Sequence, residues 1–227
     1  GREKVAAFGD VHVVNTHFPP YPSAAFDTLA VHFDRIGSTA ERRLHSVTLA
    51  VTNRCPYRCW HCYNAGRSQK DIPLARLRNL AGELRLFGAV CVTLTGGEPL
   101  LRPDLEDIVS LFDERFYLSL GTTGCGLTQA RAKELKRRGL FAAGVSLDSQ
   151  DEAEHDRLRG KAGAFRTALK AVRMCRDAGL YSYVVTVASH ALLERKRFLK
   201  FMRFAKRIGA YEVHLLEPCP TGRLKGR

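Results

Sequence analysis

The sequence predicts an α/β fold, a partial (βα)6 barrel of the TIM type preceded by an N-terminal extension. Three observations predict it. Six short runs rich in β-branched and aromatic residues read as strands, at about Val47–Thr52, Val90–Thr95, Phe116–Gly121, Phe141–Asp148, Tyr181–Ala188 and Tyr211–Glu217. Between strands, apolar residues recur every three to four positions, as helices require. Gly88, Gly139, Gly179 and Gly209 each follow a helical run and precede a strand, where a left-handed residue ends a helix. Alternation of strand and helix gives a parallel sheet with helices outside it. Six steps rather than eight leave the barrel open.

The elements follow in order. Residues 1–44 lie outside the repeat and form the extension, expected as a hairpin packed on the barrel. Val11–Val14 suits a short strand. Phe18-Pro19-Pro20-Tyr21-Pro22-Ser23 is extended or a turn, because its prolines forbid a helix. Leu29–Ile36 reads as a strand or a short helix. His12, His17 and His32 are scattered and read as ordinary residues rather than ligands. Residues 45–227 form the core. Leu74, Leu77, Leu80 or Ala81, Leu84 and Phe87 mark its first helix. Pro103 and Asp104 suit the first turn of the second, and another starts near Thr128. Phe165, Ala168 or Leu169, Val172 and Cys175 mark a later helix, and Phe198, Phe201 or Met202, Ala205 and Ile208 the last. The sixth helix is not expected within this chain.

Composition bounds the function. The chain has 227 residues, 45% of them hydrophobic, enough for one sizeable domain. No run approaches the ~18–20 apolar residues of a membrane span, and no secretory signal opens the sequence. Seven cysteines is an odd number, and three share one loop, which points to a reducing compartment and thiolate ligands. The cytoplasm is the expected location. The formal charge is +13, concentrated between His190 and Arg227, where ten Lys and Arg face three Glu. This reads as a solvated helix face plus a tail that meets another domain, and nucleic acid is not the expected partner. Phe198, Phe201 and Phe204 nearby have core spacing, not base-stacking spacing.

The chemistry centres on Cys55-Pro56-Tyr57-Arg58-Cys59-Trp60-His61-Cys62, spaced C-x3-C-x2-C directly after the first strand. That is the end of the strand where α/β barrels keep their active sites. One short loop with three thiolates suits one face of an iron–sulfur cluster, which normally takes four, and an iron left open marks a reactive site. Zinc held by the three Cys and His61 is the alternative, but structural zinc usually draws on two separated ligand pairs and the chain has no second pair. After the second strand comes Gly96-Gly97-Glu98-Pro99, whose glycines would let backbone approach a ligand.

The two motifs, in order on successive strand ends, resemble the radical S-adenosylmethionine (SAM) enzymes over about Val47 to Glu217. The resemblance implies a 4Fe-4S cluster on Cys55, Cys59 and Cys62, with SAM chelated at the open iron. It implies reductive cleavage of SAM to a 5′-deoxyadenosyl radical that takes hydrogen from a substrate. Gly96, Gly97 and Glu98 would hold the methionine end. His61 would lie near the adenine through its backbone and ring face. Thr122 and Thr123 stand where relatives have Thr-Asn-Gly, so Thr123 departs from the pattern, and a plain turn is an equal reading. Ser146-Leu147-Asp148-Ser149 departs from Ser-Leu-Asp-Gly at Ser149. Ser146 would contact the ribose or carboxylate, and Asp148 would shape the turn. His155-Asp156-Arg157-Leu158-Arg159-Gly160 is similar to a stretch of relatives that modify peptides or tetrapyrroles. Arg159 would pair with the SAM carboxylate, and Arg157 is a surface charge. Val185 and Val187 suit adenine, as any buried strand would.

Pro220-Thr221-Gly222-Arg223 resembles the exit of the core in members that carry a C-terminal auxiliary-cluster (SPASM) domain, and that domain is expected to be missing from this chain. Cys91 and Cys175 read as core. Cys125 and Cys219 follow strand ends and read as small loop residues, with an auxiliary ligand or a hydrogen donor as alternatives. The resemblance implies a tetrapyrrole, peptide or other small-molecule substrate and an electron donor such as flavodoxin or ferredoxin. A tRNA-modifying enzyme and a non-catalytic zinc or cluster scaffold are the rival readings.

Overall fold

The computed structural model describes residues 5–38 and 43–226. Residues 1–4 and 39–42 of the expected extension, and Arg227 of the basic end, lie outside them. The chain opens with β1 (Ala6–Phe8) and β2 (Val11–Val13), an antiparallel hairpin turned at Gly9 and Asp10. Next comes α1 (Ala24–Ser38), so Leu29–Ile36 is helical. Ser23 decides it, because its Oγ accepts from Phe26 N at 3.0 Å and satisfies one free N–H of the first turn.

The core alternates as expected. Its elements are β3 (Ser46–Thr52), α2 (Leu74–Leu86), β4 (Cys91–Gly96), α3 (Leu105–Val109), β5 (Tyr117–Thr122), α4 (Gln129–Arg137), β6 (Ala142–Ser146), α5 (Glu152–Arg159), α6 (Ala164–Asp177), β7 (Tyr181–Val187), α7 (His190–Leu193), α8 (Arg195–Arg207) and β8 (Val213–Leu216). The six strands β3 to β8 form one parallel sheet in sequence order. That is a partial barrel, open between its first and last strands. After β8 the described chain holds only a 3-10 turn, Gly222–Leu224.

Two apolar layers hold the helices on the outside of the sheet. Val51, Leu77, Leu94, Leu105, Leu120 and Leu135 pack β3–β5 against α2–α4. Val145, Val172, Val184, Phe201 and Ala205 pack β6 and β7 against α6 and α8. Phe87, expected on the buried face of α2, lies just past the helix end and is exposed. At the N-terminal ends of the strands, Phe8 meets Phe141, Tyr181 and Tyr211 edge to face, at 5.7, 5.3 and 5.3 Å between ring centres. The hairpin therefore closes the floor of the barrel and leaves the opposite mouth to the strand-end loops. No helix among the described residues is long and apolar enough to cross a membrane.

Phe201 is fully buried between α8 and the sheet. Phe201→Ala is expected to lower the unfolding free energy by about 3–5 kcal/mol, through lost transfer and a residual cavity. Urea denaturation checks it. A loss under about 1 kcal/mol would show that α8 is not packed as described.

Candidate active site

The loop after β3 is pinned at several points before any ligand is considered. Gly97 N donates to Thr52 O at 2.7 Å, and Glu98 N to Arg54 O at 2.8 Å. Arg58 N donates to Arg159 O and Trp60 N to Leu158 O, each at 3.0 Å. Thr52 Oγ1 and Arg54 Nη2 both donate to Asp71, at 2.6 and 2.8 Å. Behind the loop Arg102, 4% exposed, caps the Val51 and Ile72 carbonyls and forms a two-pronged pair with Asp104. Asp104 was expected to serve the second helix; its carboxylate faces Arg102 and makes no cap bond. Nothing in the sequence pattern singles out Arg102.

The loop lines a cavity of about 320 Å3 at the C-terminal ends of the strands. Cys55, Cys59 and Cys62 all face it. So do Gly96 and Gly97 at the end of β4, Thr122 and Thr123 at the end of β5, Ser146 of β6, Val185 and Val187 of β7, and His61 and Arg159. Among the described residues no three His, Cys, Asp or Glu side chains converge to hold a single ion. Three thiols from one short loop on one cavity wall suit a cluster, which takes each thiolate on a different iron. Burial pushes the Cys55 thiol up to about 11 and raises the Cys59 thiol too. A bound metal centre reverses this by taking the thiolate, so loading releases protons.

The side chains around the cavity depart from expectation in three ways. First, the missing side chains of Gly96 and Gly97 make room for protein backbone. A Cβ on Gly96, at φ +144°, would lie 2.1 Å from Thr52 O, and one on Gly97 would lie 2.2 Å from Arg54 O. The glycines let two backbone segments touch. Second, Glu98 does not face the cavity. It is fully buried, and its carboxylate accepts from Leu100 N, Thr122 Oγ1, Thr123 N and Thr123 Oγ1 at 2.5–3.1 Å. Burial raises its pKa against the pull of those donors. Glu98 ties the end of β4 to the end of β5, and Thr123 serves as one of its donors.

Third, Arg159 is engaged within the fold. Its Nη2 donates to Asp148 Oδ1 at 2.9 Å, and its Nη1 lies 3.8 Å from Cys59 Sγ. Only Nε is buried without a partner. Asp148 is turned away from the cavity towards this cation. Burial alone would raise its carboxyl, but Arg159 and His61 outweigh burial and hold it well below the usual range. His61 Nε2 stands 3.6 Å from Asp148 Oδ2, and both atoms are buried without a hydrogen bond. The rest of the 155–160 stretch is structural. Asp148 N donates to His155 Nδ1, and Asp156 caps α6 through Gly163 N and Phe165 N. Cys91 and Cys175 are buried, and Cys125 packs beside Tyr57 and Cys59. Asn64 belongs to no sequence motif, yet it is 5% exposed, lines the cavity, and its Oδ1 has no partner.

The described structure is thus a partial barrel with three thiols on one cavity wall at its strand ends. The Radical SAM superfamily model matches residues 49–205. The chain is 31% identical to an AdoMet-dependent heme synthase of Methanosarcina barkeri over 76% of its own length and 50% of that protein's. It is 29% identical to a probable GTP 3′,8-cyclase of Saccharolobus solfataricus over 83% of its length and 60% of that protein's. The structure of Streptococcus suis SuiB bound to S-adenosylmethionine matches with a TM-score of 0.71 at 13% identity, covering 89% of this chain and 48% of SuiB. The chain belongs to the radical SAM superfamily. It spans about half the length of the heme synthase relatives it matches. The cofactors of the family are SAM and a 4Fe-4S cluster.

Two outcomes follow from this geometry. In Gly97→Ala the Cβ meets a backbone oxygen that cannot move aside, so a loss of about 3 kcal/mol is expected, at the upper end for overpacking. Urea denaturation of the metal-free protein and iron content after reconstitution should both fall; an unchanged midpoint would refute the contact. His155 is buried, and burial first, then Arg159, lowers its pKa to about 4. Its folded value lies below the unfolded one of about 6.5, so its contribution is complete above pH 6.5 and is lost as pH falls towards 4. Roughly 3 kcal/mol of stability should disappear across that window. His155→Gln should flatten the profile, and an equally steep fall in that variant would show that another group titrates.

Proposed function

We propose that the chain forms the catalytic core of an enzyme that cleaves SAM reductively and uses the radical to take hydrogen from a tetrapyrrole substrate. The carrying observation is the set of three thiols on the wall of one strand-end cavity, beside the Gly96-Gly97 turn. When bound, the cluster supplies the electron that splits SAM into methionine and a 5′-deoxyadenosyl radical. Cys55, Cys59 and Cys62 hold it. The backbone around Gly96 and Gly97 and the Ser146 side chain offer polar contacts to SAM, and Val185 and Val187 give an apolar wall for its adenine. Glu98, Asp148 and Arg159 act from behind as positioning residues.

The tetrapyrrole rests on the relatives. An AdoMet-dependent heme synthase and an Fe-coproporphyrin III synthase of Methanosarcina barkeri are 31% and 32% identical to the chain. A nucleotide substrate is the second reading, supported by the probable GTP 3′,8-cyclases. Peptide modification has the support of the 155–160 and 220–223 stretches alone. Flavodoxin or ferredoxin is proposed as electron donor. The cytoplasm is proposed as the location, on the strength of seven free cysteines.

Anaerobic reconstitution with iron and sulfide, followed by electron paramagnetic resonance of the reduced protein, tests the core of this reading. A cubane signal that changes on adding SAM is expected. Cys55→Ala, Cys59→Ala and Cys62→Ala should each lose the signal and SAM cleavage. A variant that keeps both overturns the ligand assignment, and zinc in place of a cluster favours the scaffold.

A further inference from the structure

The charge lining the cavity is one-sided. Among the described residues three arginines and a histidine line it, and no Asp or Glu does. Arg159 is neutralised by Asp148. Arg67 and Arg223 are not; neither enters an ion pair among the described residues. Arg67 lies over the Tyr63 ring at 6.0 Å, a contact that leaves its N–H groups open. Arg223 is held in place by its backbone. Gly222 has φ +56°, and a Cβ there would lie 2.1 Å from Cys62 O. Arg223 N donates to that same carbonyl at 3.0 Å. The chain after β8 thus returns to rest on the third thiol-bearing residue, and this return puts Arg223 on the cavity wall.

A second observation says that this wall expects a ligand. Asn64 is nine-tenths buried in the same cavity, and its Oδ1 has no donor. A buried acceptor left bare is costly, and a bound molecule that carries an N–H or O–H beside its anionic group would satisfy it, while the anion itself falls to the arginines. Free cations with no acid among them draw anions into a cleft and disfavour cationic competitors. The guanidinium fork matches a carboxylate or phosphate in two parallel bonds.

We infer that Arg223, with Arg67 beside it, recognises an anionic group of the substrate: a ring carboxylate of a tetrapyrrole or a phosphate of a nucleotide. This rests on the proposed function only in taking the cavity as the reaction chamber. The cluster-loaded protein is titrated with Fe-coproporphyrin III, followed in its Soret band, with its fully esterified form, and with GTP and SAM by calorimetry. Wild type should bind Fe-coproporphyrin III or GTP, which identifies the source of the anion. Arg223→Gln should weaken that ligand by about tenfold or more, the cost of losing a charged pair. Arg223→Lys should recover part of the loss, and Arg67→Gln should weaken binding less. The esterified ring should not distinguish wild type from Arg223→Gln.

Equal affinity of Arg223→Gln and wild type for both anions overturns the inference. So does wild-type protein that binds neither. A loss confined to SAM overturns it as well, because Arg223 would then serve the SAM carboxylate. Failure of the proposed function looks different: the cluster signal is blind to SAM while anion binding still depends on Arg223.

Discussion

The structure depends on one constraint, the direct contact of backbone with the thiol loop. Three glycines press on it at intervals of four residues. Gly97 abuts Arg54 O, Gly160 abuts Arg58 O, and Gly222 abuts Cys62 O, with a Cβ separation of 2.2, 2.7 and 2.1 Å at each. Any side chain would collide there. The three come from the ends of β4 and α5 and from the segment after β8, so the loop is clamped from three sides. A loop with three thiols and no regular structure of its own would otherwise have to lose its freedom on binding metal, which weakens binding. Here the fold orders it in advance.

Electrostatics serves the same end. Burying Asp148 and Arg159 together costs desolvation that their attraction roughly offsets, so the pair is better understood as fixing position than as adding stability. Asp148 fixes Arg159, and Arg159 directs Nη1 at Cys59 Sγ. A cation beside a thiolate ligand favours the anionic sulfur and tunes the metal centre it holds. The price of this arrangement falls on His155, which must stay neutral next to Arg159 and accept from Asp148 N. Removing Arg159 alone would leave Asp148 a buried charge facing His61 and the long donors Thr186 Oγ1 and Val187 N, with no cation paired to it.

The parts of this fold that were legible in the sequence are those written as periods and spacings. The six strands and the apolar stripes of α2, α6 and α8 stand out because each buries one face. The thiols stand out because they are close together. Short polar α5, Glu-Ala-Glu-His-Asp-Arg-Leu-Arg, has no stripe; Asp151 caps its start and Gly160 its end. Leu29–Ile36 was ambiguous because apolar and charged residues alternate there under both patterns, and Ser23, outside that stretch, settled it. Motifs told which residues converge but not what each one touches. Glu98 turns away from the cavity, and Arg159 lines it but spends its guanidinium on Asp148, because a turn's identity does not reveal what its side chains bond. Arg102 and Asn64 belong to no pattern and become visible only when distant segments are brought together.

Sorting the cavity groups by whether the fold already satisfies them separates two jobs. Glu98, Thr122, Thr123, Asp148 and Arg159 are bonded to one another or to the loop, and they come from the strand ends between β4 and α5. They can hold one geometry whatever the substrate. Asn64, Arg67 and Arg223 are among the groups left open, and these three lie on the thiol loop and the segment after β8. Those two segments meet at Cys62, along the side where the sheet is open. Chemistry that must stay constant is therefore built into bonded strand ends, while the polar groups free to choose a substrate sit on the two segments least constrained by the barrel. A change of substrate then requires new side chains on the open side and leaves the clamp on the loop untouched.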